Sequence, residues 1–84
     1  MNREVKPNTV WRHFKGFKAF IITLAKHSET GEDLVIYVCT SDGVEGGNHQ
    51  DGIYARPLKM FLEEVDHKKY PDVKQKYRFE EIKD

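Results

Sequence analysis

Phe17-Lys18-Ala19-Phe20-Ile21-Ile22-Thr23-Leu24-Ala25-Lys26 is the stretch on which the fold turns. Phe17, Ala19, Ile21, Thr23 and Ala25 fall on one side of an extended chain. Phe20, Ile22 and Leu24 fall on the other, between Lys18 and Lys26. Apolar residues on both sides predict a strand inside a sheet, with its second face buried or covered.

Downstream, residues 27–33 are a polar turn around Gly31. Residues 34–40 form a second β-branched run, Leu34, Ile36 and Val38 opposing Val35, Tyr37 and Cys39. Upstream, the aromatic-rich residues 10–14 end at a Lys15-Gly16 turn signal. Residues 41–52 hold four of the six glycines and three acids, and read as a long hairpin loop. Residues 53–56 resume a short strand. Pro57 then suits a helix start, and Leu58, Phe61, Leu62 and Val65 follow at helical spacing. Residues 67–76 are a basic loop, and residues 77–82, with Tyr77 and Phe79 on one face, are a closing strand. The polar residues 1–9 read as a flexible N-terminal arm, leaving 10–84 as the folded unit. Short strands, one helix and no alternating βαβ rhythm predict a mainly β fold, a small antiparallel barrel or roll.

At 84 residues the chain has room for one small core. A single cysteine excludes a disulfide framework within the chain and a cysteine-rich zinc module. The longest apolar run, residues 17–25, is broken by Lys18 and Thr23, so no membrane span is expected. No apolar signal core follows Met1, and the expected location is the cytoplasm. The net charge of zero conceals a partition. Residues 1–28 carry six bases against one acid, residues 29–66 two against nine, and residues 67–84 six against four. A neutral total argues against a double-stranded nucleic acid binder, while the segregation permits a local basic face or pairing between copies in a homo-oligomer.

Four blocks occur in order: Trp11-Arg12-His13-Phe14-Lys15-Gly16; His27-Ser28-Glu29-Thr30 with Leu34-Val35-Ile36-Tyr37; Arg56-Pro57-Leu58-Lys59-Met60-Phe61; and Arg78-Phe79-Glu80-Glu81-Ile82. Over residues 11–82 this succession resembles the uncharacterised bacterial domain-of-unknown-function family numbered 1653. The resemblance implies a small SH3-like barrel and no particular reaction. Two departures stand out. Tyr54-Ala55 replaces the Trp-Val usual before Arg-Pro, after a longer loop, and residues 70–76 extend the usual hairpin.

Several chemistries can be weighed on the residues themselves. His27-Ser28-Glu29 cannot build a triad, because consecutive residues of an extended chain point in opposite directions. A turn in which Ser28, Glu29 and Thr30 bond backbone amides is the simpler reading. Cys39 lies in a β-branched run with nothing beside it to generate a thiolate, so an inert packed thiol is expected. The four histidines lack ligand spacing, and the Asp42, Glu45, Asp51 loop lacks a calcium ladder, so no metal and no cofactor are expected. The glycine-rich loop lacks the Lys-Ser/Thr that ends a phosphate-binding loop. Trp11, Phe14, Phe17 and Phe20 interleave with Arg12, Lys15 and Lys18, a pattern compatible with stacking on a single strand or with a core plus solvated lysines. Arg56 before Pro57 is biased to an extended backbone, where its fork can take a carboxylate or phosphate, or clamp Glu29.

The function expected from these residues is a non-enzymatic binding module holding a small anionic or nucleotide-like ligand. Its candidate residues are Trp11, His13, His27, Glu29, Tyr37, Tyr54 and Arg56. The aromatics would wall the ligand, Arg56 would pair with the anion, and His27 and Glu29 would hydrogen-bond it. The alternatives are a peptide- or protein-docking module using the acidic loop 41–52, and a small enzyme with His27 or His13 as general base.

Overall fold

Residues 3–40 and 52–83 are described by the computed structural model. Alternation of apolar and polar residues produces β1 (Val10–His13), β2 (Lys18–Lys26), β3 (Asp33–Thr40), β4 (Gly52–Pro57) and β5 (Phe79–Glu81), with one helical turn, α1 (Leu58–Phe61). The five strands form one antiparallel sheet in the order β4-β3-β2-β1-β5. Its first four strands are neighbours in both sequence and space, and β5 returns to pair with β1. The expected mainly β architecture is therefore present. Gly16, at φ 102°, supplies the left-handed position that the tight β1–β2 turn requires.

The core lies on one face, where Trp11, Phe17, Ala19, Ile21, Val35, Tyr37, Cys39 and Phe79 pack against Phe61 of α1. The sheet curls around this core until its two edges meet through side chains. Arg56 of β4 lies over the Phe79 ring of β5 at 5.7 Å. No backbone ladder joins β4 to β5 among the described residues, so the sheet is a roll open along that seam.

Four details depart from the sequence expectation. The alternation of β2 breaks at Ile22, where the register steps from Ile21↔Tyr37 to Thr23↔Ile36. The extra residue is a β-bulge, and beyond it Leu24 shares the core side with its partner Val35, while Thr23 and Ala25 turn outward. Second, the outer face is uncovered. Val10, Phe20, Val38 and Ile53 are register partners in one row across four strands, and Phe20, Ile22 and Ile53 are exposed. Third, the helix ends at Phe61 instead of running to Val65. The chain after Leu62 pairs with residues 76–78: Arg78 N–H donates to Glu63 O, Val65 N–H donates to Lys76 O, and Glu64 bridges Tyr77. Val65 still reaches the interior, carried by this short ladder.

Fourth, residues 3–9 lie against the domain. Arg3 donates from Nη1 to Phe79 O at 2.7 Å and from Nη2 to Leu62 O at 2.6 Å. Its guanidinium also covers the Tyr77 ring at 3.6 Å. Burial lowers the Arg3 pKa from its usual value, opposed by the attraction of Tyr77 and Glu80. Val5 is buried, and Asn8 N–H bonds Ile21 O, extending the sheet edge toward the N-terminus. Arg3, Val5 and Asn8 thus hold this segment against the sheet, while Glu4 and Lys6 stay exposed.

Candidate functional site

Pro57 follows Arg56 and disfavours a helical conformation there, so β4 remains extended until α1 begins. In an extended strand Tyr54 and Arg56 share a face. That face is the concave one, because Tyr54 pairs with Tyr37 and Arg56 with Val35, both core residues. The rings of Tyr37 and Tyr54 stack at 5.8 Å. Arg56 Nε donates to the Tyr37 hydroxyl at 3.3 Å, and its guanidinium lies over Phe79. Among the described residues no carboxylate forms an ion pair with Arg56. The result is a half-buried cation walled by two tyrosines and a phenylalanine, oriented by a neutral hydroxyl.

Three other candidates lie elsewhere. Trp11 is 1% exposed, its ring edge-on to Phe61 and its indole N–H donating to Thr9 Oγ1. It is a core residue, and the Phe61 ring it meets lies edge-on to Tyr37. His13 is 4% exposed, sandwiched between Phe14 and Phe17 at 4.4 and 4.2 Å, and meets the far edge of Phe79. Its Nδ1 accepts the Lys15 amide. His27 sits in the β2–β3 turn, where Nδ1 accepts the amides of Glu29 and Thr30.

Glu29 is exposed beside it, with no ion pair to Arg56 among the described residues. The clamp between Glu29 and Arg56 is therefore absent, and Tyr37 takes the place expected for Glu29. A nitrogen that accepts an amide holds its lone pair there, so the neutral rings of both histidines carry their proton on Nε2. The structure thus brings together Tyr37, Tyr54 and Arg56, with His13 on the far side of Phe79, and among the described residues it shows no hydrogen bond or ion pair from His27 or Glu29 to them. Phe79 was the missed member. Its signal was present in the Arg78-Phe79 block, but strand pattern alone cannot say that the last strand faces the fourth.

The β2–β3 segment is a turn, but of the three acceptors expected there only Thr30 is seen to take an amide, and His27 takes the two others. His27 and Thr30 supply its acceptors, Thr30 Oγ1 taking the Glu32 amide, and Gly31 provides the positive φ. Cys39 is buried between the two sheet neighbours Ala19 and Gly52. Among the described residues, no three His, Cys, Asp or Glu side chains gather as metal ligands, and no helix is long and apolar enough to cross a membrane. The glycine-rich acidic loop, residues 41–51, lies outside the described residues.

Fold and site together define a small antiparallel β domain with an arginine held among aromatic rings at its open seam. The family model for the protein of unknown function group DUF1653 matches residues 9–81, nearly the whole described chain, and the chain belongs to that family. Comparison with the curated proteins and with the solved structures returns no match.

Proposed function

We propose that the domain is a binding module for a small anionic or nucleotide-like ligand, held at the seam between β4 and β5. The observation that carries this is Arg56, whose guanidinium is oriented through Nε by Tyr37 while its charge meets no carboxylate among the described residues. A half-buried guanidinium whose fork nitrogens meet no acceptor among the described residues suits a bidentate phosphate or carboxylate, and Tyr54 offers a flat wall for a base or ring. The seven residues first expected at one patch reduce in this reading to Tyr37, Tyr54 and Arg56. Catalysis by His27 or His13 finds no support in their geometry, since each spends its Nδ1 lone pair on a turn amide. A cytoplasmic, non-enzymatic protein without cofactor remains the reading.

The test uses inorganic phosphate and adenosine monophosphate as probes in thermal melts. A ligand bound to the folded state raises the melting temperature with the logarithm of its excess over Kd. The expected result is a rise that Arg56→Ala abolishes and that Arg56→Lys, which keeps the charge but not the fork, only partly retains. If neither probe shifts the native protein, or if Arg56→Lys responds as the native protein does, the arginine-fork reading fails.

A second reading, docking of a protein or of a second copy, is favoured by the uncovered row Val10, Phe20, Val38 and Ile53 on the outer face. Its signature is concentration-dependent mass in light scattering.

A further inference from the structure

A ladder of aromatic rings runs from the core to the surface at the β1–β2 turn. Phe17 stacks on His13 at 4.2 Å and 13°, His13 on Phe14 at 4.4 Å and 29°, and Phe14 meets Tyr70 at 5.0 Å. The first two rings are buried and the last two half-exposed, so the outer pair is held from beneath by packed rings. Backbone bonds fix both carriers: Phe14 N–H donates to Arg78 O, and Tyr70 N–H donates to Asp66 O.

Lysines surround this outer pair. Lys15 Nζ lies 5.9 Å from the Phe14 ring and 5.6 Å from the Tyr70 ring, and Lys69 Nζ lies 5.5 Å from Tyr70. Lys68 is adjacent, on the turn that Asp66 closes through its own carboxylate. The loop is tied to β1 by Gln75, which donates to the Arg12 carbonyl at 3.0 Å. Lys15 of the basic first third and Lys69 of the basic tail therefore lie beside the same ring pair, although the acidic middle of the chain separates them in sequence. Among the described residues none of Lys15, Lys68 or Lys69 pairs with a carboxylate.

We propose that the Phe14–Tyr70 ring pair, with Lys15 and Lys69, is a docking surface for single-stranded nucleic acid. Rigid half-exposed rings offer stacking platforms to unpaired bases, and the flanking ammonium groups track the backbone phosphates. A duplex keeps its bases stacked on one another, so it meets only the lysines. An acidic protein would likewise use the charges and leave the rings unused. This surface is separate from the Arg56 seam, and either can fail without the other.

The test is fluorescence anisotropy of a labelled oligothymidine, run against a duplex of equal length and at two salt concentrations. The expected result is saturable binding to the single strand, tighter than to the duplex and weaker at the higher salt. Tyr70→Ala is expected to weaken it about tenfold, the scale of one lost base stack. Lys15→Gln combined with Lys69→Gln is expected to flatten the log–log salt slope by about 1.4, two phosphate contacts on a single strand. Circular dichroism checks that each variant keeps its fold. Should Tyr70→Ala unfold the domain, the lysine pair decides alone, since both side chains are exposed. Absence of binding at low salt overturns the proposal, as does equal affinity for duplex. So does a folded Tyr70→Ala variant with native affinity, an unchanged slope in the lysine variant, or displacement by polyglutamate as effective as by unlabelled oligothymidine.

Discussion

Tyr37 and Arg56 are held together across the β3–β4 ladder, the arginine Nε donating to the tyrosine hydroxyl at 3.3 Å. The pairing settles what kind of residue Arg56 is within the fold. A carboxylate such as Glu29 would orient the guanidinium and cancel its charge at once. A phenol orients it and leaves the charge in place. Burial of an uncancelled cation among rings is unfavourable in the free protein, and it is partly offset by the face of Phe79 beneath it.

Tyr37→Phe separates these contributions. The ring remains available to Tyr54, Phe61 and Phe79, and only the acceptor is lost. Urea denaturation is expected to show a loss of about 0.5–1.5 kcal/mol, the usual worth of one hydrogen bond. The melting response to phosphate should shrink as well, because Arg56 loses its orienting contact. An undiminished phosphate response in this variant rules out a positioning role for the hydroxyl.

The two histidines of the candidate set should behave oppositely. His13 fills a slot between Phe14 and Phe17, so His13→Ala opens a cavity and strands the Lys15 amide. A loss of about 2–4 kcal/mol is expected, in the range of large-to-small core substitutions. His27 is part of a surface turn and accepts two amides that water can reach. Its replacement by Ala is expected to cost under about 1 kcal/mol. Equal losses in chemical denaturation would contradict the assignment of His13 to the core.

Much of the sheet was legible because alternation is a local signal. Phe17, Ala19 and Ile21 against Lys18 and Phe20 needed no knowledge of the rest of the chain. The same rule failed one residue later, since a bulge at Ile22 is set by the partner strand and leaves no mark in β2 itself. The helix was overextended for a related reason. Leu58, Phe61, Leu62 and Val65 have helical spacing, but Val65 reaches the core through pairing of residues 63–65 with residues 76–78. Of the candidate site, the register of Tyr37 with Tyr54 follows from adjacent strands and was within reach. The approach of Arg56 to Phe79 depends on the curl of the whole sheet, which no spacing in the sequence encodes.

Residues 3–5 supply another test, because composition alone marks them as dispensable. Arg3 uses two donors on the carbonyls of Phe79 and Leu62, joining β5 to the end of α1, and Val5 is buried behind it. Arg3→Ala is expected to lower stability by about 1–2 kcal/mol, a reduced figure for charged hydrogen bonds that remain partly open to solvent. Arg3→Lys should recover little of it, since an ammonium cannot span two carbonyls and cover Tyr77 in one plane. Stability in urea unchanged by Arg3→Ala would return the segment to the status of a loose tail.

The outer face gives the last prediction. Phe20 and Ile53 lie in one row with Val38, yet both are exposed, Ile53 by 71%. In a single chain Ile53→Ser removes little buried surface and should change stability by under about 0.5 kcal/mol, whereas Phe20, 42% exposed, gives up part of its packing and should cost about 1 kcal/mol. A monomer should therefore tolerate Phe20→Ser with Ile53→Ser in thermal melts and gain solubility. If two copies close this face on each other, a stable contact needs on the order of 800 Å² from each partner. The native protein would then scatter light as a dimer, the double variant as a monomer, and the native melting temperature would rise with concentration while that of the variant stayed flat. The two cases differ in kind, because only burial by a second copy makes an exposed Ile53 stabilising.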